Sequence, residues 1–185
     1  MKNENAFITD LLSKKQKDRA FNKLLDLYQE RLYWHIRKLV LTHENADDVL
    51  QNTFIKIYNG LPKFKQQSSL HTWMYRIAYN ESLRFLERDK KRYSMSIDEL
   101  NQAHIENLLE DAYFNADEVQ VKLHKLLLSL AEKERKVFQM KYYDDLKFRE
   151  IAVILELKEG TVKTLYYKVV KFIEVGILEV KSVKN

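Results

Sequence analysis

The side chains with the most chemistry to offer lie between Leu70 and Arg92, in the run LHTWMYRIAYNESLRFLERDKKR. At about 100° per residue, Trp73, Arg76, Asn80, Arg84 and Glu87 share one stripe of a helix. An aromatic, an amide and two guanidiniums along one edge can stack on an unpaired base, hydrogen-bond its edge and hold phosphates. Lys63, Phe64, Lys65 and two glutamines, Gln66 and Gln67, in the preceding loop border the same stripe, with Phe64 and Ser69 placed to close a pocket around Trp73 and Asn80. Arg88, Lys90, Lys91 and Arg92 follow, a cationic cluster suited to the carbonyl end of a helix and to a polyanion. A buried indole beside a solvated basic end would give the same pattern, so this stretch alone leaves both readings open.

A second cluster lies near the C-terminus, in TVKTLYYKVVKFIEV. Val162, Leu165, Tyr166, Val169, Phe172 and Ile173 take one side of a helix, while Lys163, Thr164, Tyr167, Lys168 and Lys171 take the other. The outer face offers ammoniums for phosphate or guanine, plus a hydroxyl and an aromatic for base edges or a thymine methyl. Its alternative is the solvated side of a structural bundle. A third cluster is Asp48, Gln51, Asn52 and Ile55, spaced i, i+3, i+4 and i+7. Ordinary solvated surface would carry more Lys and Glu and no isoleucine there, so the edge suits docking of another helix. Capping explains the aspartates equally well, but not Ile55.

Helices must position all three clusters. The run from Leu70 has a Ser68-Ser69 pair able to cap it, and Leu70, Met74, Ile77, Ala78 and Phe85 form its core face. Upstream, Phe21, Leu24, Tyr28, Leu32, Ile36 and Leu39 predict a helix from about Asp18 to Leu41, with Arg31, Arg37 and Lys38 outside and His35 partly buried. Residues 1–15 suggest a looser amphipathic turn or helix through Phe7, Ile8, Leu11 and Leu12. Between these, Asn45 reads as an N-cap with Asp47 and Asp48 in the first turn, Leu50, Phe54 and Ile57 pointing inward, and Gly60, Leu61 and Pro62 as the stop.

From Val119 onward, Leu123, Leu126, Leu127 and Leu130 predict one helix and Val137, Phe138, Met140 and Tyr142 another. After a turn at Asp144-Asp145, LKFREIAVILE predicts a helix burying Phe148, Ile151 and Leu155, and the turn LKEG leads into the basic one. A short helix, a tight turn and a helix with one exposed basic face make a helix-turn-helix.

Composition narrows the classes. Three Gly and one Pro in 185 residues favour long helices and leave no glycine-rich phosphate loop. Without Cys there is neither a disulfide framework nor a thiolate metal site, and the scattered His and isolated carboxylates form no metal or hydrolytic centre. MKNENAFITD lacks a signal-peptide core and no run reaches membrane-spanning length, so a cytoplasmic protein without membrane insertion is expected. Residues 1–92 carry 18 Lys/Arg and 11 Asp/Glu, residues 93–118 none and seven, and residues 119–185 14 and nine. Two basic modules flanking an acidic linker, with weak periodicity only around Leu108 and Leu109, are predicted.

ADDVLQNTFIKIY followed by F-x₅-LHTWMYRIAYNESLRFLER resembles region 2 of the extracytoplasmic-function (ECF) sigma factors of bacterial RNA polymerase. That family carries a D-A-x-D-L-x-Q-x-x-F run, then W-L-x-x-I-A-x-N ending in D-x-x-R, and runs close to both occur here in order. The pattern E-I-A-x-x-L-x-L-x-x-G-T-V-K resembles sigma region 4, although response regulators and other activators share it. Leu165 and Val169-Val170 depart from positions that are often basic or small in the family, and Ala131 stands where Pro usually precedes the second helix.

The resemblance implies an all-α protein with residues 1–92 as region 2, 93–118 as linker and 119–185 as region 4. It implies docking on the polymerase clamp and flap, with Asp48, Gln51, Asn52 and Ile55 at the clamp. Lys63, Phe64, Ser69, Trp73, Arg76, Asn80 and Arg84 would open the minus-ten element, and Lys163, Thr164, Tyr167, Lys168 and Lys171 would read the minus-thirty-five duplex. It further implies no catalysis by this chain, no cofactor and a possible anti-sigma partner. A stand-alone helix-turn-helix regulator and a helical protein-interaction module are the other classes, opposed respectively by the Asp48–Ile55 edge and by the basic last helix.

Overall fold

Eight α-helices and one 3-10 turn make up the regular structure of the residues that the computed structural model describes, 2–40, 42–93 and 118–183, and no strand occurs among them. The chain divides into two compact units, Met1–Asp89 and Lys90–Asn185. The spacer read as a linker, with Leu108 and Leu109, lies outside the described residues apart from its ends, Tyr93 and Glu118.

The first unit holds α1 (Lys2–Leu12), α2 (Lys17–Arg37), α3 (His43–Gly60), the 3-10 turn Leu61–Lys63 and α4 (Leu70–Tyr93), whose last residues run past the unit boundary. Leu11, Leu24, Leu32, Ile36, Ile57 and Met74 are fully buried, so α1 to α4 each give an apolar stripe to one core. The loose N-terminal segment is therefore a regular helix, with Ile8 and Leu11 buried and Leu12 exposed.

Arg37, expected outside, is buried: α2 stops at this residue, and its Nη1 donates 3.3 Å to the Val40 carbonyl just past the helix end. His35 is likewise fully rather than partly buried, its ring 4.9 Å from that of Tyr75. Phe21, Tyr28 and Leu39 are only half-buried.

The cap of α3 is Thr42, not Asn45: the Thr42 hydroxyl accepts from Asn45 N at 3.1 Å. The helix thus begins earlier, its first-turn acid is Glu44, and Leu50 is half-buried while Ala46, Val49 and Thr53 join Phe54 and Ile57 inside. Gly60, Leu61 and Pro62 end α3 by passing into the 3-10 turn.

On α4 the Ser69 hydroxyl accepts from Thr72 N at 3.1 Å, a side-chain cap of the kind expected from the serine pair. Leu70, Met74 and Ala78 are buried as expected, but Tyr75, Tyr79 and Ser82 share the core face while Ile77 and Phe85 are half-buried. Tyr75 packs its ring on His35 and His71, so amphipathic side chains do the work that an apolar count assigns elsewhere.

The second unit holds α5 (Glu118–Leu128), α6 (Glu132–Tyr142), α7 (Phe148–Leu155) and α8 (Glu159–Val183). Leu127, Phe138, Val169 and Ile173 form a core cluster among them. Ala131 caps α6 with φ −58°, the value proline would impose, so its lack of a ring leaves the backbone path unchanged. Backbone N of Lys147 donates 2.8 Å to Glu150 Oε2 at the start of α7, and Glu156 ends that helix at φ 56°.

The turn between α7 and α8 is shorter than expected, since Glu159 and Gly160 are already helical, and α8 runs on to Val183. A Cβ at Gly176 would meet Leu126 Cδ2 at 2.8 Å, so the far end of α8 lies hard against α5. Tyr142 and Phe172 are exposed rather than inward, and Phe148 and Leu155 are half-buried while Ala152 and Ile154 complete the buried face of α7.

Candidate nucleic-acid interfaces

In the first unit the stripe on α4 is a surface. Arg76, Asn80 and Arg84 are exposed and Trp73 is half-buried. The Phe64 ring lies 4.8 Å from that of Trp73, tilted by 35°. On the other side Gly60 approaches so closely that a Cβ there would stand 3.0 Å from Trp73 Cζ2 and 3.2 Å from Cη2. The indole is thus held between the loop and the end of α3 without being consumed by the core. Exposed Lys63 ends the 3-10 turn beside this pair, and Gln66, at φ 53°, lets the loop turn back toward α4. Ser69 is exposed, but its hydroxyl caps α4 and meets Thr72 Oγ1 at 2.7 Å, so the helix start already occupies it.

The edge of α3 is likewise open: Asp48, Gln51, Asn52 and Ile55 are all exposed, Ile55 by 52 %. The Asn52 amide donates 2.9 Å to the Asp48 carbonyl of its own helix. An exposed isoleucine ringed by a carboxylate and amides offers an apolar anchor with a polar rim. Next to it, Lys56 reaches across to Glu81 of α4 at 2.5 Å, and Arg84 meets the same oxygen at 2.5 Å. Glu81 was absent from the sequence-based set. Its i, i+3 spacing to Arg84 was visible there, but nothing marked it as buried.

In the second unit Lys163, Thr164, Tyr167, Lys168 and Lys171 are all exposed on α8, Tyr167 by 61 %. Leu165 and Val170 are half-buried and Val169 is fully buried. The departures at these positions therefore fall on the packing side and remove no cation from the outer face. Lys163 pairs with Glu159 at 2.7 Å, and that hydrogen bond raises its pKa from the ordinary lysine value. Lys168 reaches Glu134 of α6 at 2.6 Å, a partner the sequence-based reading missed because it comes from another helix. The Thr164 hydroxyl donates to the Gly160 carbonyl at 3.0 Å. Lys141 and Lys163 stand 5.8 and 6.0 Å from the centre of the Phe148 ring, and Tyr167 packs 6.0 Å from the same ring. These contacts fix the start of the basic face on an aromatic support.

Among the described residues no group of His, Asp and Glu could hold a metal ion, and no helix is long and apolar enough to cross a membrane.

Comparison with known proteins matches residues 24–92 to the family model for sigma-70 region 2 and residues 120–173 to that for sigma-70, region 4. The chain is 27% identical over 163 residues to the ECF RNA polymerase sigma factor SigW of Bacillus subtilis, covering 84% of this chain and 87% of that one. It is 28% identical over 158 residues to the RNA polymerase sigma-H factor of Pseudomonas aeruginosa, covering 81% and 82%. The ECF RNA polymerase sigma-E factor of Escherichia coli K12 gives the same identity and coverage. The fold resembles CnrH, solved in complex with the cytosolic domain of CnrY, at a TM-score of 0.67 and 20% identity over 96% of this chain and 97% of that one. It also resembles RpoE of Bartonella quintana, solved with the anti-sigma factor NepR, at a TM-score of 0.64 and 17% identity over 85% and 96%.

Proposed function

This chain belongs to the sigma-70 family of RNA polymerase sigma factors, on its ECF side, and from that membership we propose how its side chains divide the work. The chain directs core polymerase to promoters and opens the minus-ten element to begin transcription. One observation carries this reading: region 2 and region 4 occur in order on one chain, over residues 24–92 and 120–173.

In our reading residues 1–92 act as region 2, 93–118 as linker and 119–185 as region 4. Asp48, Gln51, Asn52 and Ile55 dock on the polymerase clamp, the exposed isoleucine as anchor and the polar groups as rim. A base leaves the duplex only if new contacts replace its stacking and pairing, which cost a few kilocalories per mole. Trp73 supplies a π surface worth about 1–3 kcal/mol per stacked base. Asn80 reads the base edge, Phe64 and Ser69 close the pocket, and Lys63, Arg76 and Arg84 hold the separated backbone.

Region 4 docks on the flap and lays α8 in the duplex major groove. There Lys163, Thr164, Tyr167 and Lys168 meet base edges, and Lys171 holds phosphate. The chain itself performs no covalent chemistry, takes no cofactor and acts in the cytoplasm, with an anti-sigma protein as a further partner.

The test is transcription from a promoter library by purified core polymerase with and without the chain. Start sites that appear only with the chain, sharing elements near minus ten and minus thirty-five, are expected. An unchanged set of transcripts would defeat the reading.

A further inference from the structure

A buried carboxylate lies between the docking edge of α3 and the stripe on α4, and neither role described above uses it. Glu81 is 8 % exposed, and its Oε1 accepts from Lys56 Nζ on α3 and from Arg84 Nη1 one turn along α4, each at 2.5 Å. Both cations stay in water, with side chains 45% and 60% exposed. A carboxylate withdrawn from solvent needs charge and hydrogen bonds to compensate it, and one cation would neutralise it. Here two converge on one oxygen. Lys56 balances the charge of Glu81, so Arg84 gains a fixed hydrogen bond while the cluster keeps one net positive charge facing out. A guanidinium carries five donors in a rigid plane, so holding one nitrogen inward fixes the direction of the others. Arg84 is also an i+4 neighbour of Asn80 on the same face.

We propose that Glu81 is a positioning residue for promoter opening. Together with Lys56 it orients Arg84 beside Asn80, so that the backbone of the separated strand is held in one register while its base is read. This inference rests on the minus-ten reading of α4 given above. A merely structural ion pair would tie α3 to α4 and leave base discrimination alone.

Holoenzymes carrying the full-length parent, Glu81→Gln, Arg84→Gln and the double variant separate these cases. Each is titrated with a single-stranded non-template oligonucleotide bearing the minus-ten sequence, and with one substituted at the captured base, across a range of salt. Glu81→Gln, close in shape to the parent, should lower discrimination between the strands by about three- to tenfold. Binding of the substituted strand should not weaken, and its log–log salt slope should steepen by up to about 0.7, the increment for one more cation on a single strand. Damage to the fold would instead weaken both strands together and lower the melting temperature. In the Arg84→Gln background, adding Glu81→Gln should change discrimination by less than about twofold, because Glu81 acts through Arg84. Unchanged discrimination in Glu81→Gln, or an equal loss in both backgrounds, overturns the role of Glu81 and leaves the minus-ten reading standing. A parent holoenzyme that does not distinguish the strands overturns that reading, and the role of Glu81 with it.

Discussion

Trp73 and Asn80 lie about two helical turns apart on α4 and are held in opposite ways. The indole is wedged between Phe64 and Gly60, whereas the amide stands in solvent. Truncating Trp73 would therefore confuse lost packing with lost stacking, and Asn80→Ala is the cleaner probe. Exposed substitutions away from packing contacts change stability by about 0.5 kcal/mol or less. The Asn80→Ala variant should bind core polymerase and upstream duplex normally, yet fail to give permanganate-reactive thymines at the minus-ten element. A premelted bubble should restore opening without restoring preference for the captured base; parent-like opening and selectivity would exclude the pocket. Gly60→Ala tests the wedge from the other side. Helix propensity favours alanine by about 1 kcal/mol, but its Cβ meets the indole at 3.0 Å, so the ring must shift by a few tenths of an ångström. In a Trp34→Phe background the expected signs are a shifted Trp73 emission and slower opening, with little change in melting temperature. An unmoved spectrum would mean that Gly60 does not set the position of the indole.

At the scale of the helix, the proposed reading has α8 separate contacts that select from contacts that only attract. Lys163 and Lys168 are tied to Glu159 and Glu134, and Tyr167 to Phe148, so these side chains leave the helix in set directions. Lys171→Ala should weaken all promoters about equally and lower the salt slope by about 1, whereas Thr164 or Tyr167 substitutions should reorder them. Uniform loss from every substitution, measured by competition among duplexes, would reduce α8 to non-specific anchorage. On α3, Gln51→Ala with Asn52→Ala should cost on the order of 1–3 kcal/mol of core-polymerase affinity with helix content unchanged, since neither residue is buried. Native-like affinity in that double variant would remove the docking edge. The exposed faces of these helices were legible because a helical stripe of one chemistry sorts itself at 3.6 residues per turn. Their buried faces were less so. Tyr75, Tyr79 and Ser82 on α4 and Arg37 at the end of α2 read as polar, yet all are buried: Tyr75 packs on two histidine rings, Ser82 donates to the Ala78 carbonyl and Arg37 to the Val40 carbonyl past the helix end. The cap of α3 went to Thr42 because the backbone is extended there, at φ −125° and ψ 165°, while Asn45 already lies inside the helix; side-chain type alone favours asparagine. Glu81 and Glu134 gain their meaning from partners on other helices, information that periodicity does not carry.

Across the whole molecule, the proposed reading gives the two units different nucleic-acid chemistries, the first a stacking edge and the second a duplex-reading face. The core of each is built from its own helices: Leu24, Ile36, Ile57 and Met74 close the first, and Leu127, Phe138, Val169 and Ile173 the second. Each should therefore fold without the other. Fragments 1–93 and 118–185 are expected to be helical and to melt cooperatively, the first binding core polymerase and the second binding upstream duplex with its own salt slope. What the separated pieces lose is linkage. Joining two binding modules gives the second an effective concentration on the order of millimolar when the connection spans both sites. At nanomolar concentrations the mixed fragments should thus yield at least about 100-fold less transcript than the intact chain, and excess of the second fragment should recover part of it. Run-off transcription with core polymerase, read alongside circular-dichroism melts of each fragment, checks both halves of the prediction. Unfolded fragments would show that the units support one another, and full activity from an equimolar mixture would show that the division of labour does not depend on the chain between them.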